Sequence, residues 1–99
     1  MSQNKFYIAI IDDNPGAAKE TQQKLATVLK MPIFENIHFI SQNYPSGNDF
    51  LNSKQEYDLI LMDYEMPGLN GVETAQKLQK RNLTTKIIFL SGYNQPLQH

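Results

Sequence analysis

The run Phe6 to Ile11, FYIAII, offers no polar position on either face that a strand can present, and it stops abruptly at Asp12-Asp13-Asn14-Pro15. A strand with one wet face alternates polar and apolar residues. An unbroken apolar run of this length instead suits a strand covered on both faces, as in a parallel sheet flanked by helices. The run is far too short to span a bilayer. One short stretch thus directs the chain toward a layered α/β arrangement in which the first strand ends on acids.

The rest of the sequence fits that frame. Asn14 followed by Pro15 reads as a helix cap and a first helical residue. Ala18, Thr21, Leu25, Val28 and Leu29 then recur at helical spacing, predicting a helix from about Pro15 to Lys30, and Pro32 forbids its continuation. Ile37 to Ile40 reads as a second strand, and Tyr44-Pro45-Ser46-Gly47 as a turn that leaves Tyr44 in a surface loop. A short helix carries Phe50 and Leu51 inward. Leu59 to Met62, LILM, is a third strand ending at Asp63. A helix capped near Asn70 places Val72, Ala75 and Leu78 on one face, and Ile87 to Leu90 is a fourth strand. The order β-α-β-α-β-α-β with short loops predicts a parallel sheet with helices on both faces.

Composition removes several classes of function. The chain has 99 residues, enough for one small domain, and a formal net charge of −1. A domain that grips many phosphates is clearly basic, so nucleic acid and anionic membrane are not expected as direct partners. There are no cysteines, which excludes disulfides, thiol chemistry and cysteine-bound zinc. The opening MSQNKFYIAII lacks the pattern of a signal peptide, so a cytoplasmic location is expected.

In an open parallel sheet, ligands bind outside the carboxyl ends of the strands, at the point where strand order reverses. In the flavodoxin-like order 2-1-3-4-5, strands one and three are neighbours there. Asp12 and Asp13 follow strand one and Asp63 follows strand three, so three carboxylates distant in sequence are expected to converge. Clustered carboxylates repel, and a divalent cation relieves the repulsion. Oxygen ligands with incomplete protein coordination suit Mg²⁺, which keeps waters and shares phosphate oxygens. One of the carboxylates is then free to act as a nucleophile toward a phosphoryl group.

The acidic pair in IIDDN, the strand-end acid in LILMDYEMPGLNG and the segment IIFLSG, in that order, resemble the receiver domain of two-component response regulators. The MPG turn followed by Gly71-Val72-Glu73 is the strongest local match, and the likeness extends over nearly the whole chain. It implies a flavodoxin-like (CheY-like) fold with strand order 2-1-3-4 and a phosphoacceptor at Asp63. It further implies Mg²⁺ held by Asp12, Asp13, Asp63 and the backbone carbonyl of Glu65. Ser91 matches the switch hydroxyl, and Glu65 and Tyr93 match the two positions that tune the lifetime of the phosphate. The partners implied are a sensor histidine kinase and an output module of unspecified kind, DNA-binding modules among them.

The sequence also departs from the family. Receivers have five strands and carry a lysine at the end of the fifth, and this sequence stops soon after the fourth. Residues 1–99 are therefore expected to form a single receiver domain, incomplete at its C-terminal side. An uncovered fourth strand bearing Ile87, Ile88, Phe89 and Leu90 invites pairing with a second copy, so a homo-oligomer is expected. Three other functions compete. A degenerate receiver would only bind proteins. A small Mg²⁺-dependent phosphatase would also form an aspartyl phosphate, but such enzymes place nucleophile and acid two residues apart after strand one, whereas Asp12 and Asp13 are adjacent. A flavin-binding relative would need a loop rich in Ser, Thr and Gly where IIDDNPG is acidic.

Overall fold

The computed structural model describes residues 4–63, 71–81 and 85–90. The elements are β1 (Asn4–Ile11), α1 (Pro15–Leu29), β2 (Ile37–Tyr44), α2 (Gly47–Asn52), β3 (Leu59–Asp63), α3 (Gly71–Arg81) and β4 (Lys86–Leu90), with a short 3-10 turn at Pro32–Phe34 between α1 and β2. The four strands pair in the order β2-β1-β3-β4, and every pairing is parallel. This is the expected flavodoxin-like arrangement. The segment that follows β4 lies outside the described residues.

The two faces of the sheet carry separate cores, which explains the unbroken apolar run in β1. Ile8 and Ile10 pack with Leu61 against Ala18, with Leu25 and Leu29 of α1 beside them. Ala9 and Ile11 point the other way, into a cluster with Ile60, Met62, Phe50, Tyr57 and Leu78, which α2 and α3 cover. Period-two alternation along a strand sends neighbouring residues to opposite faces, so a strand with helices on both sides needs an apolar residue at every position. Ala9, Ile10, Ile11, Ile60 and Met62 are wholly buried. Complete burial of an Ile or Met side chain contributes about 1.5–3 kcal/mol.

Local chemistry sets the helix boundaries. The Asn14 side chain accepts the Ala17 N–H at 3.1 Å, and Pro15 occupies the first turn, where its missing N–H costs nothing. The Ser46 hydroxyl caps α2 in the same way by accepting the Asp49 N–H at 3.0 Å. At the amino ends of the strands, Asp58 ties three of them together. Its N–H donates to the Tyr7 carbonyl, its carboxylate accepts the Tyr7 N–H, and its carbonyl accepts the Lys86 N–H.

Two expectations are corrected. β2 runs four residues further than Ile40, through the polar stretch Ser41-Gln42-Asn43 to Tyr44. It is an edge strand paired along its whole length with β1, and the backbone ladder holds it where side-chain pattern gives no signal. Tyr44 is accordingly a strand residue and not a surface-loop residue. Its ring packs edge-on against Phe50 and Tyr57. Val28 does not face the core but remains 49% exposed. The stripe Ala18, Leu25, Leu29 takes the sheet-facing side of α1, and Val28 falls on its flank.

Tyr57 gives the fold a measurable alkaline limit. Burial, and then the hydrogen bond with the Tyr44 hydroxyl, raise its phenol above the ordinary value of 10.0. The folded protein therefore keeps a proton that the unfolded chain releases, so this contribution is intact below pH ~10 and declines above it. The urea midpoint is expected to fall with rising pH in that alkaline range, and Tyr57→Phe is expected to flatten the slope. Equal slopes in the two proteins would refute this reading.

Candidate functional site

The parallel register delivers the acids to one place. Ile11, the last residue of β1, lies opposite Met62 in β3. One step further along each chain are Asp12 and Asp63. A carboxylate oxygen from each of Asp12, Asp13 and Asp63 lies within 4.8 Å of the others. Asp12 and Asp63 are half-buried and Asp13 is exposed, so the group opens to solvent on one side. It sits at the carboxyl ends of the two central strands. There the connection from β1 leads outward to β2 on one flank, and β3 resumes on the other. In an open α/β sheet this is where a crevice forms.

The loop that carries the acidic pair is held at both ends. The Asp12 carboxylate accepts the Asn14 N–H at 2.9 Å, and the same Asn14 caps α1. The Asp12 N–H donates to the Tyr44 carbonyl at 3.0 Å. Asp63 is still within the sheet, paired with Leu90 of β4. Below the acids, on the α1 side of the sheet, a groove of about 480 Å³ runs away from Asp12 and Asp63 past Leu61, Leu90, Leu25 and Val28. Its rim carries the Lys24–Glu20 ion pair, 3.0 Å long and well exposed, an arrangement that contributes well under ~1 kcal/mol.

Of the residues expected at the site, the structure brings together Asp12, Asp13 and Asp63. Glu65, Ser91 and Tyr93 lie outside the described residues. Sequence reading missed Asn14 as a ligand to the Asp12 carboxylate, although an Asn two residues after an acid and immediately before Pro is a recognisable turn signal. It also missed Tyr44, whose main chain reaches Asp12 only through the sheet register.

Like charges no more than 4.8 Å apart repel by roughly 1 kcal/mol or more in water, and by several times that as the effective dielectric falls toward ~20. Acidic side chains do gather on surfaces with no ion among them. This group differs because two of its members, Asp12 and Asp63, are half-buried and are set side by side by the strand register. Three carboxylate oxygens on one side, with the other side open, form a partial coordination shell for a hard divalent cation. That is the arrangement Mg²⁺ accepts while retaining waters.

Comparison with known proteins gives this geometry a context. Residues 8–98 match the family of the response regulator receiver domain. The nitrate/nitrite response regulator protein NarL of Escherichia coli (strain K12) is 30% identical over 93 residues, covering 94% of this chain and 41% of NarL. The chain thus spans about two fifths of the length of that relative. Among solved structures, the response regulator TrrA of Thermotoga maritima in complex with Mg²⁺-BeF aligns with a TM-score of 0.71 at 27% identity, covering 90% of this chain and 71% of TrrA. The same regulator in complex with the histidine kinase ThkA aligns with a TM-score of 0.65 at 26% identity, covering 95% of this chain and 75% of that one.

The trio makes a prediction with two signs. In chelator, Asp13→Asn removes a repelling charge and is expected to raise the melting temperature slightly. Saturating Mg²⁺ is expected to stabilise the wild type by about 2.7 kcal/mol at one hundred times its dissociation constant. In Asp13→Asn that Mg²⁺-induced gain shrinks or vanishes. Equal gains in both proteins would remove Asp13 from the site.

Proposed function

The chain belongs to the response regulator receiver domain family, and from that premise we propose that Asp63 is its phosphoacceptor, charged by a histidine kinase in a Mg²⁺-dependent phosphorelay. The observation that carries this reading is the convergence of Asp12, Asp13 and Asp63 at the ends of the two central strands, with ligand oxygens within 4.8 Å of one another.

Each residue then has a distinct task. An Asp63 carboxylate oxygen attacks the phosphorus of the donor. A new oxygen–phosphorus bond forms, the bond from phosphorus to the donor's imidazole nitrogen breaks, and the leaving imidazole takes the electron pair. The product is an acyl phosphate on Asp63. Asp12 and Asp13, with Asp63 and the backbone carbonyl of Glu65, are the proposed Mg²⁺ ligands. When bound, the ion offsets the negative charge that gathers on the phosphoryl oxygens during transfer. Asn14 holds the Asp12 carboxylate in one orientation, so the loop needs little rearrangement as the charge arrives. We assign the switch hydroxyl to Ser91 and the tuning of phosphate lifetime to Glu65 and Tyr93, on the family pattern alone.

The kinase partner is proposed by analogy with TrrA, which is found in complex with the histidine kinase ThkA. We read residues 1–99 as one receiver unit and leave its output unassigned. Ile88 and Phe89 on β4 are 50% and 42% exposed, and we place association with a second copy along this strand. Light scattering at micromolar concentration is expected to give a mass above that of a single chain. A monomer would refute the pairing and leave the chemistry of Asp63 untouched.

Incubation with Mg²⁺ and acetyl phosphate tests the central proposal. Intact mass spectrometry is expected to show one added phosphoryl group in the wild type, and none in Asp63→Asn or in chelator. Modification that persists in Asp63→Asn would overturn the assignment. A wild type that takes up no phosphate would favour a receiver that only binds proteins.

A further inference from the structure

We propose that Tyr44 is a positioning residue for the acidic pair, fixing Asp12 through a main-chain bond that its own aromatic ring holds in place. The inference rests on the reading of Asp12 as a metal ligand and adds to it a residue on the far side of the sheet.

Among the described residues β2 is an edge strand paired with β1 alone, and the ends of such strands fray readily because few contacts hold them. The β1–β2 register runs out at Ile11 opposite Tyr44. One bond continues beyond it, from the Asp12 N–H to the Tyr44 carbonyl at 3.0 Å. That bond is useful to Asp12 only if the Tyr44 carbonyl stays where it is.

The Tyr44 side chain supplies the restraint. Its ring meets Phe50 edge-on at a centroid distance of 5.4 Å and Tyr57 at 6.0 Å. Its hydroxyl lies 2.6 Å from the Tyr57 hydroxyl and donates to the Ser53 Oγ at 3.0 Å. Both partners are anchored in turn. Tyr57 is 7% exposed and its carbonyl accepts the Thr85 hydroxyl at 2.8 Å. Ser53 also receives the Gln55 N–H at 3.2 Å. Tyr44 is thus tied to α2, to the segment entering β3 and to the residue before β4, and it passes that rigidity to Asp12 through its carbonyl.

Two restraints therefore act on Asp12 from opposite sides. Asn14 holds its carboxylate, and Tyr44 holds its main chain. Mg²⁺ demands near-ideal octahedral geometry and tolerates misplaced ligands poorly. Groups that orient a ligand without touching the metal typically change affinity by about 10–100-fold when removed.

The test uses the full chain with Tyr44→Leu, Tyr44→Phe and, as a stability control in the other core, Phe39→Leu. Two quantities are measured by NMR: the Mg²⁺ dissociation constant, and the hydrogen-exchange rate of the Asp12 amide relative to that of Ile10 without metal. Tyr44→Leu is expected to weaken Mg²⁺ binding by about tenfold and to speed exchange at Asp12 selectively. Tyr44→Phe keeps the ring packing and is expected to restore most of that loss. Phe39→Leu is expected to lower global stability with neither effect. The proposal is overturned if Tyr44→Leu is folded and matches the wild type in both quantities, or if Phe39→Leu reproduces its changes. Should Tyr44→Leu not fold, Tyr44→Met, which also removes the ring, takes its place, and unchanged relative exchange at Asp12 there overturns the proposal. A wild type that binds no Mg²⁺ refutes the metal reading, while the exchange rates still show whether Tyr44 holds Asp12.

Discussion

The parallel pairing of β1 with β3, Ile8 opposite Leu59 through Ile11 opposite Met62, is the contact on which the rest of the structure depends. It joins the two strands that are buried on both faces and so supplies most of the apolar interior. The same register sets Asp12 beside Asp63. A one-residue slip would send every side chain of a strand to the opposite face, placing Ile60 and Met62 against α1 and turning Asp63 away from Asp12. Core packing and site geometry are therefore specified together, because the register that sends Ile60 and Met62 to one core and Leu61 to the other also sets Asp63 beside Asp12.

Much of this was legible in the sequence, for reasons specific to particular residues. FYIAII and LILM could be read as doubly covered strands because every position in them is apolar. Asn14-Pro15 could be read as a helix start because both residues have a defined role there. The convergence of Asp12, Asp13 and Asp63 followed from strand order, since a parallel sheet with short crossovers allows few alternatives. What could not be read has separate causes. The second half of β2, Ser41 to Tyr44, is held by backbone hydrogen bonds to β1, and these leave no mark on side-chain pattern. Tyr44 therefore resembled a turn residue beside Pro45. The meeting of Tyr44, Ser53 and Tyr57 hydroxyls depends on three positions that belong together only after β2 and β3 flank β1. Val28 satisfied the helical period yet lies on the flank of α1, because the period defines a stripe but not its edges.

Burial and function divide the sheet between its two faces. The face toward α2 and α3 is an aromatic and aliphatic cluster around Phe50, Tyr57 and Met62. The face toward α1 is more open, with the groove beneath Asp12 and Asp63 and half-buried Leu25 and Leu90 along it. Asp63 continues the odd-numbered set of β3, with Leu59 and Leu61, so its side chain emerges on the open side. The rigid face lies behind the acids and the accessible face lies in front of them.

The strand order also governs when the site comes into being. β1 leaves the ribosome before β2 and β3, so neither of its neighbours exists at that moment. Ile8 must wait for Ser41 on one side and for Leu59 on the other. Contacts this distant along the chain form slowly, because loop closure must precede any gain from pairing. Asp12 and Asp13 are therefore made well before Asp63, and they acquire it as a neighbour only once β3 has emerged and docked. A nascent chain with an unfinished sheet has no acidic trio, so the ability to bind a cation there marks a molecule whose central strands have already come together.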